Sequence, residues 1–362
     1  MLISSLKIEN FRNYSNFKLK FDPEGALILG ENGIGKTNLL ESISYFAFGK
    51  SFQTSRDLEL INFSKAFFRI EAEFVIQNKL HSFEAASDRL KKVIKINNVN
   101  IARISELYKH LKVVYFSPND TEIIAGSPVF RRSFIDQAIS QYSFEYIESL
   151  RNYKRVLKQR NALFKTDYST KEKRVWDEQF ARVGTNIIEL RLKYLVNFTP
   201  LLEKYYEEIS GAREKLNANY KYSFPNDDED IYDNLLAHLL QIEEQEKHQE
   251  RSLAGPHLDD FDIFIDSHSA RNFSSQGQKR SIAIAMRLVQ TELIIEKDDD
   301  TPILMFDDVL ADLDKMRAER IIGMLKGKHQ IFIATPNITN YRSFGLPEIN
   351  LKHEFGKTSE TK

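Results

Sequence analysis

The rhythm of apolar and polar positions changes several times along the chain. Near the start the period is two: Phe17, Leu19 and Phe21 alternate with Lys18 and Lys20, which predicts a half-buried strand over 16–21 after another over 2–8. A solid apolar run, Ala26-Leu27-Ile28-Leu29, predicts a fully buried strand. Over 38–46 the spacing becomes helical, with apolar residues at 39, 40, 43 and 46 and Gly49 to stop the helix. Alternation returns at 67–77, 80–86 and 91–97, with Asn97-Asn98 as a turn, followed by a short helix over 104–111 and an apolar strand over Val113–Phe116. From 120 to 250 helical spacing dominates, over 128–140, 144–164, 172–210 and 231–248, broken by a strand-like piece at 220–224 and an acidic loop at 227–230. Strand pattern resumes at 261–265, then a helix over 275–296, a strand over 303–306, a helix over 315–326, a strand over 330–334 and a polar tail at 356–362.

These elements predict an α/β fold, a mixed sheet with helices, carrying an inserted and mostly helical lobe. The head is expected from 1–119 plus 251–362 and the lobe from 120–250. No apolar pattern runs for many heptads, so no long coiled coil is expected.

The junction between the buried strand and the first helix carries chemistry. Gly30-Glu31-Asn32-Gly33-Ile34-Gly35-Lys36-Thr37 fits the phosphate-binding P-loop pattern, and its strand–loop–helix setting is the one that pattern needs. Glycines let successive N–H groups turn inward on a phosphate chain. The helix opening at Asn38 adds its free N–H groups and dipole. Lys36 would neutralise the β- and γ-phosphates of ATP, and the Thr37 hydroxyl would ligate Mg²⁺. Arg12, between the first two strands, is either a solvated turn residue or a plate for the base, since a guanidinium stacks on a flat ring.

Three later features narrow the class. Leu304-Met305-Phe306-Asp307-Asp308 is a strand ending in acids, the Walker B arrangement: Asp307 would hold Mg²⁺ and Asp308 would orient or deprotonate the attacking water. Ser275-Gln276-Gly277-Gln278 opens a helix and is either a serine N-cap or an anion site; its place before the acids resembles the signature loop of ABC-type ATPases. In that class the loop serves the γ-phosphate held by a second subunit, which implies a head-to-tail homodimer. Asp312 and Asp314 resemble the D-loop of the same class.

With 42% hydrophobic and 28% charged residues and a net charge of −1, any nucleic-acid surface must be a local patch. The absence of cysteine excludes disulfides, thiolate metal sites and a cysteine nucleophile, and fits a reducing compartment. No basic-then-apolar leader and no long apolar run is visible, so a cytoplasmic protein without a membrane is expected. Charge is polarised within the lobe. Residues 131–193 hold fourteen Lys/Arg against eight Asp/Glu, whereas 203–250 hold five against thirteen. Arg151, Lys154, Arg155 and Lys158 form one helical stripe with Arg160 nearby, either a solvated face or a DNA phosphate-binding one.

The chain resembles the RecF family of bacterial recombination-mediator ATPases over nearly its whole length. The resemblance rests on Phe11-Arg12-Asn13-Tyr14, the P-loop, the stretches 130–136 and 154–161, Gly255-Pro256-His257, the signature loop and the acids from Asp307 to Asp314. It implies an ATP- and Mg²⁺-dependent homodimer that closes on DNA and reopens on slow, DNA-stimulated hydrolysis. It implies action with RecO and RecR in placing RecA on single-stranded gaps, in replication restart and in SOS induction. Departures from the family are Gln53 where it usually has Arg and Leu258 where a basic residue is usual; departures from the ABC class are Thr335, where many members carry a switch histidine, and no Q-loop Gln near 116–118. The competing readings are an ABC-type subunit coupled to a non-DNA partner and a nucleotide-dependent scaffold without hydrolysis.

Overall fold

The computed structural model describes residues 1–54, 56–226, 230–298, 300–336 and 341–352. The expected acidic loop, apart from Asp230, and the expected tail at 356–362 lie outside them. The described chain divides into two compact units, Met1–Pro118 with Gln290–Lys362, and Asn119–Val289.

The first unit is built on two sheets. Five parallel-paired strands run in the order Glu348–Asn350, Gly25–Leu29, Ile331–Thr335, Ile303–Asp307, Val113–Phe116. Four of them are buried at every position, which is why they read as unbroken apolar runs rather than as alternation. The second sheet is antiparallel, six strands from Tyr14–Lys20 through Leu2–Phe11, Phe67–Ile76, Lys79–Asp88 and Lys92–Ile96 to Val99–Asn100. Its strands keep one solvated face, hence their alternation. Helix Lys36–Phe48 packs on both: Tyr45 meets Phe68, and Phe46 meets Phe74 and Phe83, edge to face, while the same helix lies against the parallel strands. It is therefore buried nearly all round, where the sequence spacing predicts only one apolar stripe. Glu41, Ser42 and Ser44 are buried with it. The short helix expected at 104–111 is a 3-10 turn, Ile104–Lys109.

The second unit contains helices Pro128–Ser140, Phe144–Leu163 and Thr170–Ser210, close to their expected bounds. The helix expected at 231–248 is two, Ile231–Gln241 and Glu243–Gln249, broken at Ile242. The strand expected at 220–224 is Leu216–Lys221, because its ladder with Asp260–Ile265 ends where Lys221 faces Asp260. That ladder also corrects the expected domain boundary. Residues 251–289, assigned from sequence to the head, fold with the helical lobe, and the division falls inside helix Gln276–Asp298.

Among the described residues no helix is long and apolar enough to cross a membrane.

Candidate nucleotide site

The P-loop is held by the turn at 11–14. Asn13 Nδ2 donates to Ile34 O at 2.7 Å, Tyr14 Oη donates to Gly35 O at 2.9 Å, and Asn38 Nδ2 donates to Asn13 Oδ1 at 2.8 Å. Gly35 has φ +116°, and a Cβ there would stand 2.6 Å from Asn13 Nδ2, so only glycine fits. Gly33 also lies at positive φ, +82°. Lys36 Nζ folds back on the loop, donating to Gly30 O at 2.8 Å and Glu31 O at 3.1 Å. Burial lowers its pKa, opposed by Asp308 and Asp307. Glu31 is exposed and pairs with Lys352.

The parallel sheet brings the second half to the same edge. Register aligns Asp307 with Ala334 and Thr335 with Leu29, so the P-loop strand and the Walker B strand, with Ile331–Thr335 between them, end at the same edge of the sheet. Thr37 Oγ1 donates to Asp307 Oδ1 at 3.0 Å, across 270 residues of sequence. Tyr115 Oη donates to Asp307 Oδ2 at 2.6 Å. Burial pushes the Asp307 carboxyl above the usual carboxylate range, with Tyr115, Thr37 and Lys36 pulling the other way. Asp308 takes a left-handed backbone, φ 55°, its N–H donating to Ala334 O at 2.9 Å; strain of this kind concentrates at functional sites.

These residues fit a magnesium nucleotide. A hydroxyl and a buried carboxylate within hydrogen-bond reach are hard oxygen donors, and the glycine loop leaves its backbone open to phosphate. Thr37 and Asp307 would hold the cation, with phosphate and water completing its shell. Among the described residues no group of three or more His, Cys, Asp or Glu is arranged to hold a metal by itself.

Arg12 also sits at positive φ, 53°. Its Nε and Nη2 donate to Glu41 at 2.8 and 2.9 Å and its Nη1 to Glu59 O at 3.1 Å. Its edge is thus engaged in ion pairing rather than solvated, and its flat faces remain for the alternative reading, stacking on a base. Glu41, fully buried, also accepts from Ser51 Oγ, whose oxygen in turn accepts the Gln53 and Thr54 N–H groups. Sequence reasoning does not find Glu41 or Tyr115. The one signal for Glu41 is a lone acid inside an apolar helix; Tyr115 has none.

Ser275 caps helix Gln276–Asp298: its Oγ accepts from Gln278 N at 3.2 Å while Gln278 Oε1 accepts from Ser275 N at 2.8 Å, a reciprocal capping box. The N-cap reading is therefore real, and Gln276 and Gly277 remain exposed beside it. Asp314 caps helix Lys315–Leu325, accepting from Arg317 N at 2.9 Å. Asp312 ends the 3-10 turn Val309–Asp312, and its side chain lies outside the described part.

Of the basic stripe, Lys154, Arg155 and Lys158 are exposed, and Arg151 is paired with Glu148. Arg160 is not a DNA candidate. It is fully buried, donating to Asp177 at 2.7 and 2.9 Å, to Glu246 at 2.5 and 3.0 Å and to Ser252 Oγ at 2.6 Å. Two positions along a helix from Lys158 reach its opposite side, so nearness in sequence misleads. Arg131, Lys173 and Arg191 are likewise buried in ion pairs, and the surface of 131–193 is less basic than its composition.

Comparison with known proteins accords with this geometry. A family model described as the RecF/RecN/SMC N terminal domain matches residues 2–343. A DNA replication and repair protein RecF from Clostridioides difficile is 34% identical, over 97% of this chain and 96% of its own. The chain belongs to the RecF family. A Staphylococcus aureus RecF is 33% identical over 93% of this chain and 94% of its own. The solved structure of the recombination mediator protein RecF with ATP, in the RecFOR pathway, superposes with a TM-score of 0.87 at 32% identity, covering 93% of this chain and 92% of that one. An Smc head bound to a ScpA domain shares the fold alone, with a TM-score of 0.56 at 15% identity over 95% and 92%. Two of the stretches that carry the resemblance, 130–136 and 255–257, are fasteners of the second unit. Arg131 grips Asp260 with two bonds, Asp136 receives Arg191, Pro256 O receives Arg191 at 2.7 Å, and His257 Nδ1 shares a 2.6 Å bond with Tyr153.

Proposed function

We propose that this chain is an ATP-dependent DNA-binding protein of recombinational repair and replication restart, acting in the cytoplasm. ATP is held at the P-loop; two copies then close head to tail on DNA, and slow, DNA-stimulated hydrolysis to ADP and phosphate releases them. The observation that carries the reading is the meeting of Thr37 with Asp307, beside Lys36, at one sheet edge.

The roles follow from the residues. Backbone N–H groups of 30–38 bind the phosphates, and Lys36 exchanges its loop carbonyls for β- and γ-phosphate oxygens. Arg12 presents a face to the base. Thr37 and Asp307 hold Mg²⁺, which supplies charge neutralisation at the transferring phosphoryl group. Asp308 orients or deprotonates the attacking water. Ser275, Gln276, Gly277 and Gln278 of a second copy approach the γ-phosphate with a helix N-terminus, and Asp312 and Asp314 lie at the same junction. Exposed Lys154, Arg155 and Lys158, with Arg151, contact phosphates of duplex or junction DNA, giving salt-dependent binding of low sequence specificity. By its family, the chain works with RecO and RecR in loading RecA at single-stranded gaps and supports SOS induction.

Lys36→Arg tests the core of this. It should leave the fold intact and impair ATP-driven dimerisation and turnover. Unchanged turnover and dimerisation would remove Lys36 from the account.

A further inference from the structure

Tyr115 does something its sequence context does not advertise. It lies on the edge strand Val113–Phe116, in register with Met305, two residues before Asp307 on the neighbouring strand. A buried phenol needs a partner for its hydroxyl. Here the partner is the Walker B carboxylate, at 2.6 Å. Thr37 takes one oxygen of Asp307 and Tyr115 the other, so the carboxylate plane is held at both ends.

The Tyr115 ring is itself held. Phe52 lies over it with centroids 3.9 Å apart and planes 30° from parallel. Phe52 belongs to the loop 50–54, whose turn is tied by Ser51 to Glu41, and Glu41 is tied to Arg12. A continuous set of side chains in the first unit therefore runs from Arg12, through the loop, to the carboxylate that would hold the cation.

We propose that Tyr115, backed by Phe52, is a positioning residue that presets the orientation of Asp307 and so raises the affinity of the nucleotide site for its divalent cation. The proposal rests on the reading of 30–38 and 307 as a magnesium nucleotide site. It goes beyond that reading in assigning two residues that lie outside the P-loop and the Walker B acids. Partners behind a metal ligand typically contribute about tenfold to a hundredfold in metal affinity, because the ligand otherwise must be ordered when the metal arrives.

The test uses the full chain and a fluorescent ATP analogue, titrated with MgCl₂ and separately in EDTA, with thermal unfolding as a check on folding. Tyr115→Phe keeps the ring and its stacking on Phe52 and removes only the hydroxyl. Its binding of nucleotide in EDTA should equal that of the unaltered chain, while the Mg²⁺ concentration for half-maximal enhancement rises about tenfold. Phe52→Leu should shift the same midpoint in the same direction by less, and adding it to Tyr115→Phe should cost less than the two shifts combined. If Tyr115→Phe reduces stability too far to assay, Phe52→Leu alone decides. A Mg²⁺ midpoint unmoved in a folded variant would return Tyr115 to a packing role, and so would an equal loss with and without metal. If the unaltered chain binds nucleotide with no dependence on Mg²⁺, it is the site reading that fails.

Discussion

Gly35 and His257 show how single residues carry separate burdens. At Gly35 the constraint is geometric. Its φ of +116° and the 2.6 Å approach of Asn13 to a Cβ mean that Gly35→Ala should destabilise the first unit by about 1–3 kcal/mol and abolish nucleotide binding. Equilibrium unfolding and a binding titration check both. At His257 the constraint is electrostatic. Burial lowers its pKa from 6.5 to about 4, against the Tyr153 hydroxyl and near Arg132, Arg160 and Arg191. The unfolded chain takes up the proton below pH 6.5 while the folded chain does not until about pH 4, so this residue's contribution falls as pH drops through that window. The loss approaches about 3 kcal/mol at the lower end. His257→Asn should flatten the dependence of the urea midpoint between pH 7 and pH 5; an unchanged slope would place the acid sensitivity elsewhere. What sequence reveals at this scale is local. Gly30 through Asn38 declare themselves because motif and site are contiguous. Tyr115 on Asp307 and Arg12 on Glu41 do not, because strand register and helix packing bring them together and no spacing encodes either.

Elements are legible where one environment governs one period. The parallel strands are apolar throughout because both faces are covered, and the antiparallel strands alternate because one face is wet. Pattern fails where a neighbour decides. Leu216–Lys221 is a strand through its ladder with Asp260–Ile265, and the latter's membership of the second unit follows from the same ladder. Helix Phe144–Leu163 shows both outcomes on one element, with Lys154, Arg155 and Lys158 outward and Arg160 inward. Arg160→Met leaves Asp177 and Glu246 buried without their main partner, and should cost about 3–5 kcal/mol measured by denaturant unfolding. Replacing Lys154, Arg155 and Lys158 together by Gln should leave stability within about 0.5 kcal/mol. It should weaken duplex binding and lower the slope of log K against log salt by about one for each phosphate no longer neutralised. Unaltered DNA affinity would make that face merely solvated.

In the whole molecule, residues 30–37 and both Asp307 and Asp308 lie in the first unit, and the loop 275–278 lies in the second. On the proposed reading each copy thus supplies half of two sites, so occupancy by ATP and association of copies are linked and each strengthens the other. Ser275→Arg, at an exposed helix cap, should spare nucleotide binding by the monomer and abolish association. The most direct measurement of the central claim is the molecular mass in solution, by light scattering on a sizing column, with no nucleotide, with ATP and Mg²⁺, and with both plus duplex DNA. A monomer is expected alone, a dimer with ATP that DNA strengthens, and no dimer for Ser275→Arg under any of these conditions. A mass that ignores ATP in the unaltered chain, with nucleotide bound, would contradict that claim.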